Sequence, residues 1–369
     1  MSKRIPMIPP FKVISKVQIL AETKDYNHKM MNVPAMWKRT KGALKDGTGV
    51  PIAILDTGIP KHMDLSPSGG KSFIPGYKTD QNGHASHVGG IIAATANNGM
   101  GVAGIAPEAA DWYGAVLDAQ GSGDIVQIIR GIRWAVDVVG AKVISMSLGI
   151  ADGYPISKDL EKAVNYAVSQ GVAVICAAGN EAGGVGQPAC FDASIAVAAV
   201  NSKQQHANFS NIGPEVDFAA GGVNVYSTFL HNGYAKLSGT SMACPALAGV
   251  ATLILADAHN DSGIWLSPAE LVIRMKKIAF DVGSDGFDDT FGNGIPVFKR
   301  NEQIIPEPIP EKPEEKKNLF PCGLTWKILS VFSKGAEIAE RGGADQDGAI
   351  LAGLQSVGEY AVKAEAARK

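Results

Sequence analysis

Cysteine is scarce, neither sign of charge dominates, and the chain opens without a long apolar run; each absence removes a class of protein. The four cysteines, Cys176, Cys190, Cys244 and Cys322, show no C-x-x-C spacing, which argues against a disulfide scaffold or a zinc ribbon and leaves free thiols. Lysine and arginine total 34 against 36 aspartates and glutamates, a net charge of −2, so there is no excess of positive charge for nucleic acid or an anionic membrane. The stretch from Met1 to Pro10 lacks the roughly 7 to 15 uninterrupted apolar residues of a secretory signal, and no run approaches the roughly 18 of a membrane span. The expected location is therefore cytoplasmic. No G-x-G-x-x-G or phosphate loop follows the first apolar strand, which argues against nucleotide binding.

What the chain has in quantity is glycine, 43 residues, alongside 46% hydrophobic residues. That combination points to tight strand-to-helix turns rather than disorder. Apolar strands are expected at Ile52 to Asp56, Trp112 to Leu117, Lys142 to Ser147, Val172 to Ala177, Ser194 to Ala199 and Val225 to Thr228. Between and after them, helices are expected at Ala85 to Ala96, Asp124 to Val139, Lys158 to Gln170, Ser241 to Asp257 and Pro268 to Ile278. The alternation implies an α/β fold, a doubly wound and mostly parallel sheet with helices on both faces, whose site lies outside the carboxyl ends of the strands. Four regions follow from composition: an N-terminal extension (1–25), the main domain (26–300), a Pro/Glu/Lys-rich linker (301–320) and a C-terminal tail (321–369).

Three stretches carry chemistry. In Leu237-Ser238-Gly239-Thr240-Ser241-Met242-Ala243-Cys244-Pro245, a serine opens an apolar helix, where unpaired N–H groups and the positive dipole end suit a developing oxyanion. An isolated serine there is ordinarily a helix cap. Pro51-Ile52-Ala53-Ile54-Leu55-Asp56-Thr57-Gly58 is a strand ending in a carboxylate. Asn82-Gly83-His84-Ala85-Ser86-His87-Val88 sets a histidine at the opening of a small-residue helix, with His87 as rival base or half of a metal pair.

Asp, His and Ser in that chain order, within D-T-G, G-H-x-x-H-V and G-T-S-M-A-x-P, resemble the subtilisin-like serine proteases over residues 33 to 298, and most nearly the intracellular subtilisins. The resemblance implies a triad of Asp56, His84 and Ser241 that hydrolyses peptide bonds through an acyl-enzyme. It implies Asn180, in Ala178-Gly179-Asn180-Glu181, as the oxyanion donor beside the nucleophile's own N–H. Gly121, Ser122 and Gly123 with Ser147, Leu148 and Gly149 match the two edges between which an extended peptide adds as a strand. Ala178, Gly179 and Gly186 match the walls and floor of the primary specificity pocket.

By the same resemblance a structural Ca²⁺ is expected at Asp64, Ala96, Asn98, Met100 and Val102. A short N-terminal segment is expected to inhibit the enzyme, with Pro9-Pro10-Phe11-Lys12-Val13-Ile14 across the active site. Four positions depart from the family pattern. Ala85-Ser86 replaces Gly-Thr, Ala246 replaces a histidine, and Gly221 replaces a proline. The alternative is a peptide-binding scaffold in which these departures have impaired turnover. Expected partners are polypeptide substrates, and a second copy or another protein through the apolar cluster Trp326, Ile328, Leu329, Val331 and Phe332.

Overall fold

The computed structural model describes residues 5–8 and 21–299. The expected linker and tail, and the Pro9 to Ile14 stretch, lie outside the described residues. The chain divides into units 1–305 and 306–369, and all described residues belong to the first.

The elements are β1 (Ile5–Pro6), α1 (Tyr26–Met30), α2 (Val33–Met36), β2 (Pro51–Asp56), β3 (Gly69–Ser72), α3 (His84–Ala93), β4 (Ala110–Ala115), β5 (Ser122–Gly123) and α4 (Ile125–Trp134). They continue with β6 (Val143–Met146), α5 (Lys158–Ser169), β7 (Ala173–Ala177), β8 (Ile195–Val200), β9 (Val216–Gly221), β10 (Val225–Phe229) and β11 (Gly233–Leu237). The last are α6 (Thr240–Ser262), α7 (Pro268–Ile278), β12 (Ala279–Phe280) and β13 (Ile295–Pro296).

Seven strands form one sheet in the order β3-β4-β2-β6-β7-β8-β9, and every neighbouring pair is parallel. A parallel sheet is covered on both faces, so its central strands have no polar side to show. Accordingly β7 (AVICA) and β8 (IAVAAV) are buried at every residue. The chain places β3 and β4 on one side of β2 and β6 to β9 on the other, which makes the carboxyl end of β2 the topological switch point.

Side-chain alternation then decides which helix each strand residue meets. Leu55 lies against Gly131 of α4. Ser145, level with Ile54 across the β2–β6 pair, meets Cys244 of α6 at 3.6 Å. Asp56, two residues after Ile54, therefore faces the side of the sheet that carries α6, and α3 packs against α6 there.

Several expectations are corrected. The α6 helix is long and apolar enough to cross a membrane by length and composition alone, contrary to the reading that no run approaches that length. Its apolar window is 100% buried, because the helix runs through the core against β6 to β9. Helix α3 stops at Ala93 rather than Ala96: Ala94 turns to ψ 139, and its carbonyl accepts from Gly104 N. The helix expected through Val139 ends in a π turn, Ala135–Val139. The segment Val225 to Thr228 is a strand, but not of the main sheet. It pairs antiparallel with β11 across a turn in which His231 and Asn232 take positive φ.

Leu253 of α6 is fully buried. Leu253→Ala is expected to cost about 2–5 kcal/mol of stability in urea unfolding; a loss under about 1 kcal/mol would show that α6 does not form the core.

Candidate active site

Asp56 and His84 are each 1% exposed. The His84 Nδ1 lies 2.9 Å from both Asp56 carboxylate oxygens. An ionised carboxylate only accepts, so Nδ1 carries the proton, and Nε2 is the basic nitrogen of the neutral ring. Asp56 Oδ1 also accepts from Thr57 N at 2.6 Å. His84 is the first residue of α3, and the first turn is satisfied from outside the helix. Its N–H donates to Asn82 Oδ1, that of Ala85 to Thr57 Oγ1 and that of Ser86 to Asp80 Oδ2.

Ser241 is the second residue of α6 and is 6% exposed. It is tied to the end of β6 twice: Ser147 Oγ donates to Ser241 O at 2.9 Å, and Ser241 Oγ donates to Ser147 O at 3.3 Å. Since β6 adjoins β2, the serine and the Asp56–His84 pair share the carboxyl edge of the sheet.

The Asn180 side chain is oriented by Thr240. Its Oδ1 accepts from Thr240 N at 2.8 Å and Thr240 Oγ1 at 3.0 Å, which fixes the amide so that Nδ2 is left to donate elsewhere. Neither Nδ2 nor the Ser241 N–H donates to another described residue. Two donors beside one serine hydroxyl are the components of an oxyanion hole.

The expected substrate residues come together with these groups. One concavity is lined by Leu148, Gly149, Ala178, Gly179 and Gly186 with Asn180, Thr240 and Ser241. Met7 also lines it, because residues 5–8 lie along the cleft, with Ile5–Pro6 as a strand. Ile5 pairs with Gly123 and Pro6 with Ser122, antiparallel. Met7 N and Ile8 N donate to Gly121 O at 3.1 and 3.2 Å, and Gly149 N donates to Met7 O at 3.0 Å. The chain's own segment thus bridges both expected edges. Residues 5–8 were not singled out in the sequence, and the expected Pro9 to Ile14 stretch lies outside the described residues.

His87 is not a second base. Its Nε2 lies 3.1 Å from both Val225 O and Ala235 O, so it fastens the β10–β11 hairpin to α3, and burial holds its pKa down to about 3. The calcium candidates also gather. Asp64 is fully buried; it accepts from Asn98 Nδ2, Val102 N and Tyr234 Oη, and burial raises its pKa. Met100 N donates to Asn98 Oδ1, and Asn98 N to Glu22 Oε2. No group of three His, Cys, Asp or Glu forms a metal cluster among the described residues, so an ion at this loop would depend largely on amide and carbonyl oxygens.

Sequence reasoning missed Thr240, Met7 and Ile150 at the cleft and Glu22 at the loop. Thr240 was legible, since a hydroxyl one residue before the serine can reach only what faces the start of α6. The others depend on contacts between distant segments.

Cys244 follows Ser241 by one helical turn. Its thiol donates to Ile175 O at 3.3 Å, and burial raises its pKa to about 11 and that of Cys176 well above the ordinary range. Both are thus protonated, unreactive thiols at neutral pH. Iodoacetamide at pH 8 is expected to leave both unmodified in the native protein and to modify both in urea, read by peptide mass. Native modification at Cys244 would contradict this environment.

Residues 47–294 match the subtilase family model. The chain is 48% identical over 212 residues to a thermostable alkaline protease of Halalkalibacterium halodurans, covering 56% of this chain and 57% of that protein. It is 48% identical over 253 residues to the alkaline elastase YaB of Bacillus sp. (strain YaB), covering 68% of this chain and 63% of that one. To subtilisin Savinase of Lederbergia lenta it is 42% identical over 252 residues, covering 68% and 89%. The chain thus spans about three fifths of the length of the first two relatives. With the family match lying over the strands and helices that carry Asp56, His84, Asn180 and Ser241, the chain belongs to the subtilase family.

Proposed function

We propose that this chain is a serine endopeptidase that hydrolyses peptide bonds in extended polypeptides. The observation that carries the reading is the buried Asp56–His84 pair at the sheet edge that also holds Ser241, beside a cleft in which a peptide strand is already hydrogen-bonded. His84 Nε2 takes the Ser241 proton as Oγ attacks the scissile carbonyl, and Asp56 stabilises the imidazolium. The oxyanion is held by Ser241 N–H and Asn180 Nδ2. His84 returns the proton to the leaving amine, and water then releases the acyl group by the same path.

The same strand supports self-inhibition. Residues 5–8 use the backbone groups that a substrate would need, and a tethered peptide competes at an effective concentration on the order of mM. Pro9 and Pro10, which follow in sequence, have no N–H to offer a strand partner. Three buried free thiols, Cys176, Cys190 and Cys244, suit a reducing interior and support an intracellular enzyme.

For calcium, the loop chemistry fits. Asp64 is a buried carboxylate, Glu22 brings a second carboxylate to the loop, and a Cβ on Gly101 (φ +61) would fall 2.3 Å from Asp64 Oδ2, so a side chain would fill the cradle. Asp64, Asn98 and the carbonyls of Ala96, Met100 and Val102 would hold the ion, which would tie the loop to the body of the domain.

A fluorophosphonate is expected to label the protein lacking residues 1–20 and not its Ser241→Ala variant. That shortened chain should cleave casein at once, while the full-length protein starts slowly. Equal initial rates before any cleavage would contradict inhibition. If neither chain labels nor cleaves, the endopeptidase reading fails in favour of a peptide-binding scaffold. EDTA is expected to lower the melting temperature, and Asp64→Ala to remove that response; an unchanged melting curve would contradict a resident Ca²⁺.

A further inference from the structure

Asp80 is 5% exposed and has no cation within ion-pair distance among the described residues. Its carboxylate accepts five hydrogen bonds instead. Oδ1 takes Thr57 Oγ1 at 3.0 Å, Asn82 N at 3.0 Å and Gly83 N at 2.9 Å. Oδ2 takes Ser86 N at 2.8 Å and Ser86 Oγ at 2.7 Å. The donors come from two places: Thr57 follows Asp56 at the end of β2, while Asn82, Gly83 and Ser86 bracket His84. Thr57 Oγ1 also accepts from Ala85 N at 3.1 Å, so the two segments are tied in both directions.

The backbone repeats the connection. Asp80 N donates to Ile59 O, and Ile59 N to Lys78 O. Gly58 sits so close that a Cβ there would lie 2.6 Å from Asp80 N. Five donors offset the cost of burying this carboxylate, and each bond it accepts restrains a residue next to the triad. The last member of the turn, Gly83, has no capping side chain of its own; Asp80 supplies the cap from three residues earlier.

We infer that Asp80 is a positioning residue: through Thr57 and Ser86 it sets the Asp56 carboxylate and the His84 ring against each other, and it touches no substrate. The inference rests on the endopeptidase reading for its kinetic part only. Replacing Asp80 with Asn would turn one oxygen into an NH₂ facing a donor, so the turn would open and the His84 Nδ1 bond would lengthen. The loss would fall on the chemical step and not on peptide binding, since the Gly121–Gly123 and Gly149 edges are untouched.

The test uses the full chain, activated by its own processing, with steady-state kinetics on a peptide amide and the proton NMR resonance of His84 Nδ1–H. Asp80→Asn is expected to lower kcat by about tenfold or more with KM within about twofold, in keeping with loss of charge-assisted bonds, and to move that resonance upfield. Thr57→Val and Ser86→Ala each remove one hydroxyl donor and are expected to lower kcat by about three- to tenfold; Thr57→Ser and Ser86→Thr keep the hydroxyl and should recover most of it. These four variants decide the matter if Asp80→Asn does not fold. An unchanged kcat and an unmoved resonance in Thr57→Val and Ser86→Ala would overturn the inference. So would an equal rise in KM. An unmodified chain that is inactive but whose resonance still moves in the variants would refute the endopeptidase reading and leave the positioning role standing.

Discussion

A histidine can serve as a base on one nitrogen only if the other is held, and the Asp56–His84 bond is the constraint from which the rest of the site follows. Both groups are buried. Taking a carboxylate out of water is costly unless donors replace the solvent, and here they are Thr57 N and the imidazole Nδ1. That arrangement is available because β2 ends at Asp56 in the middle of a parallel sheet, at the point where the chain changes sides. The adjoining β6 leads directly to Ser147, which is bonded to Ser241. Position in the sheet, more than any local motif, brings three residues from distant parts of the chain to one edge.

The same edge explains how a peptide is bound. Strand addition uses backbone donors and acceptors of the sheet and the β5 segment, and residues 5–8 occupy them; a substrate strand would use the same groups. On the proposed function, a tethered strand that fits such a cleft would compete with substrate until the tether is cut. Selectivity, on the same proposed function, would fall to the side-chain pocket lined by Leu148, Ala178, Gly179 and Gly186.

Much of this was legible before any coordinates. The continuous apolar runs located five of the seven strands of the main sheet, and the carboxylate, histidine and serine each sat at the end of an element, where a site must be. His87 was ambiguous because its role depends on two carbonyls, Val225 and Ala235, about 140 positions away in sequence. Residues 5–8 were passed over for a related reason: the pairing of Met7 and Ile8 involves only backbone atoms, so no side-chain motif marks them. Asp80 was not singled out by any motif. Its importance lies in five donors that only the folded turn collects. The hairpin β10–β11 was half seen, as a strand without its partner, because Gly233 to Leu237 is too mixed in character to stand out from loop sequence.

The central claim is that Asp56, His84 and Ser241 act as one unit. The most direct measurement is kcat/KM of the processed protein with Ser241→Ala, His84→Ala and both together. Interdependent groups give losses that do not add, so the double variant is expected to be no slower than either single one. Losses that multiply in the double variant would contradict the account, because they would mean that serine and histidine contribute independently.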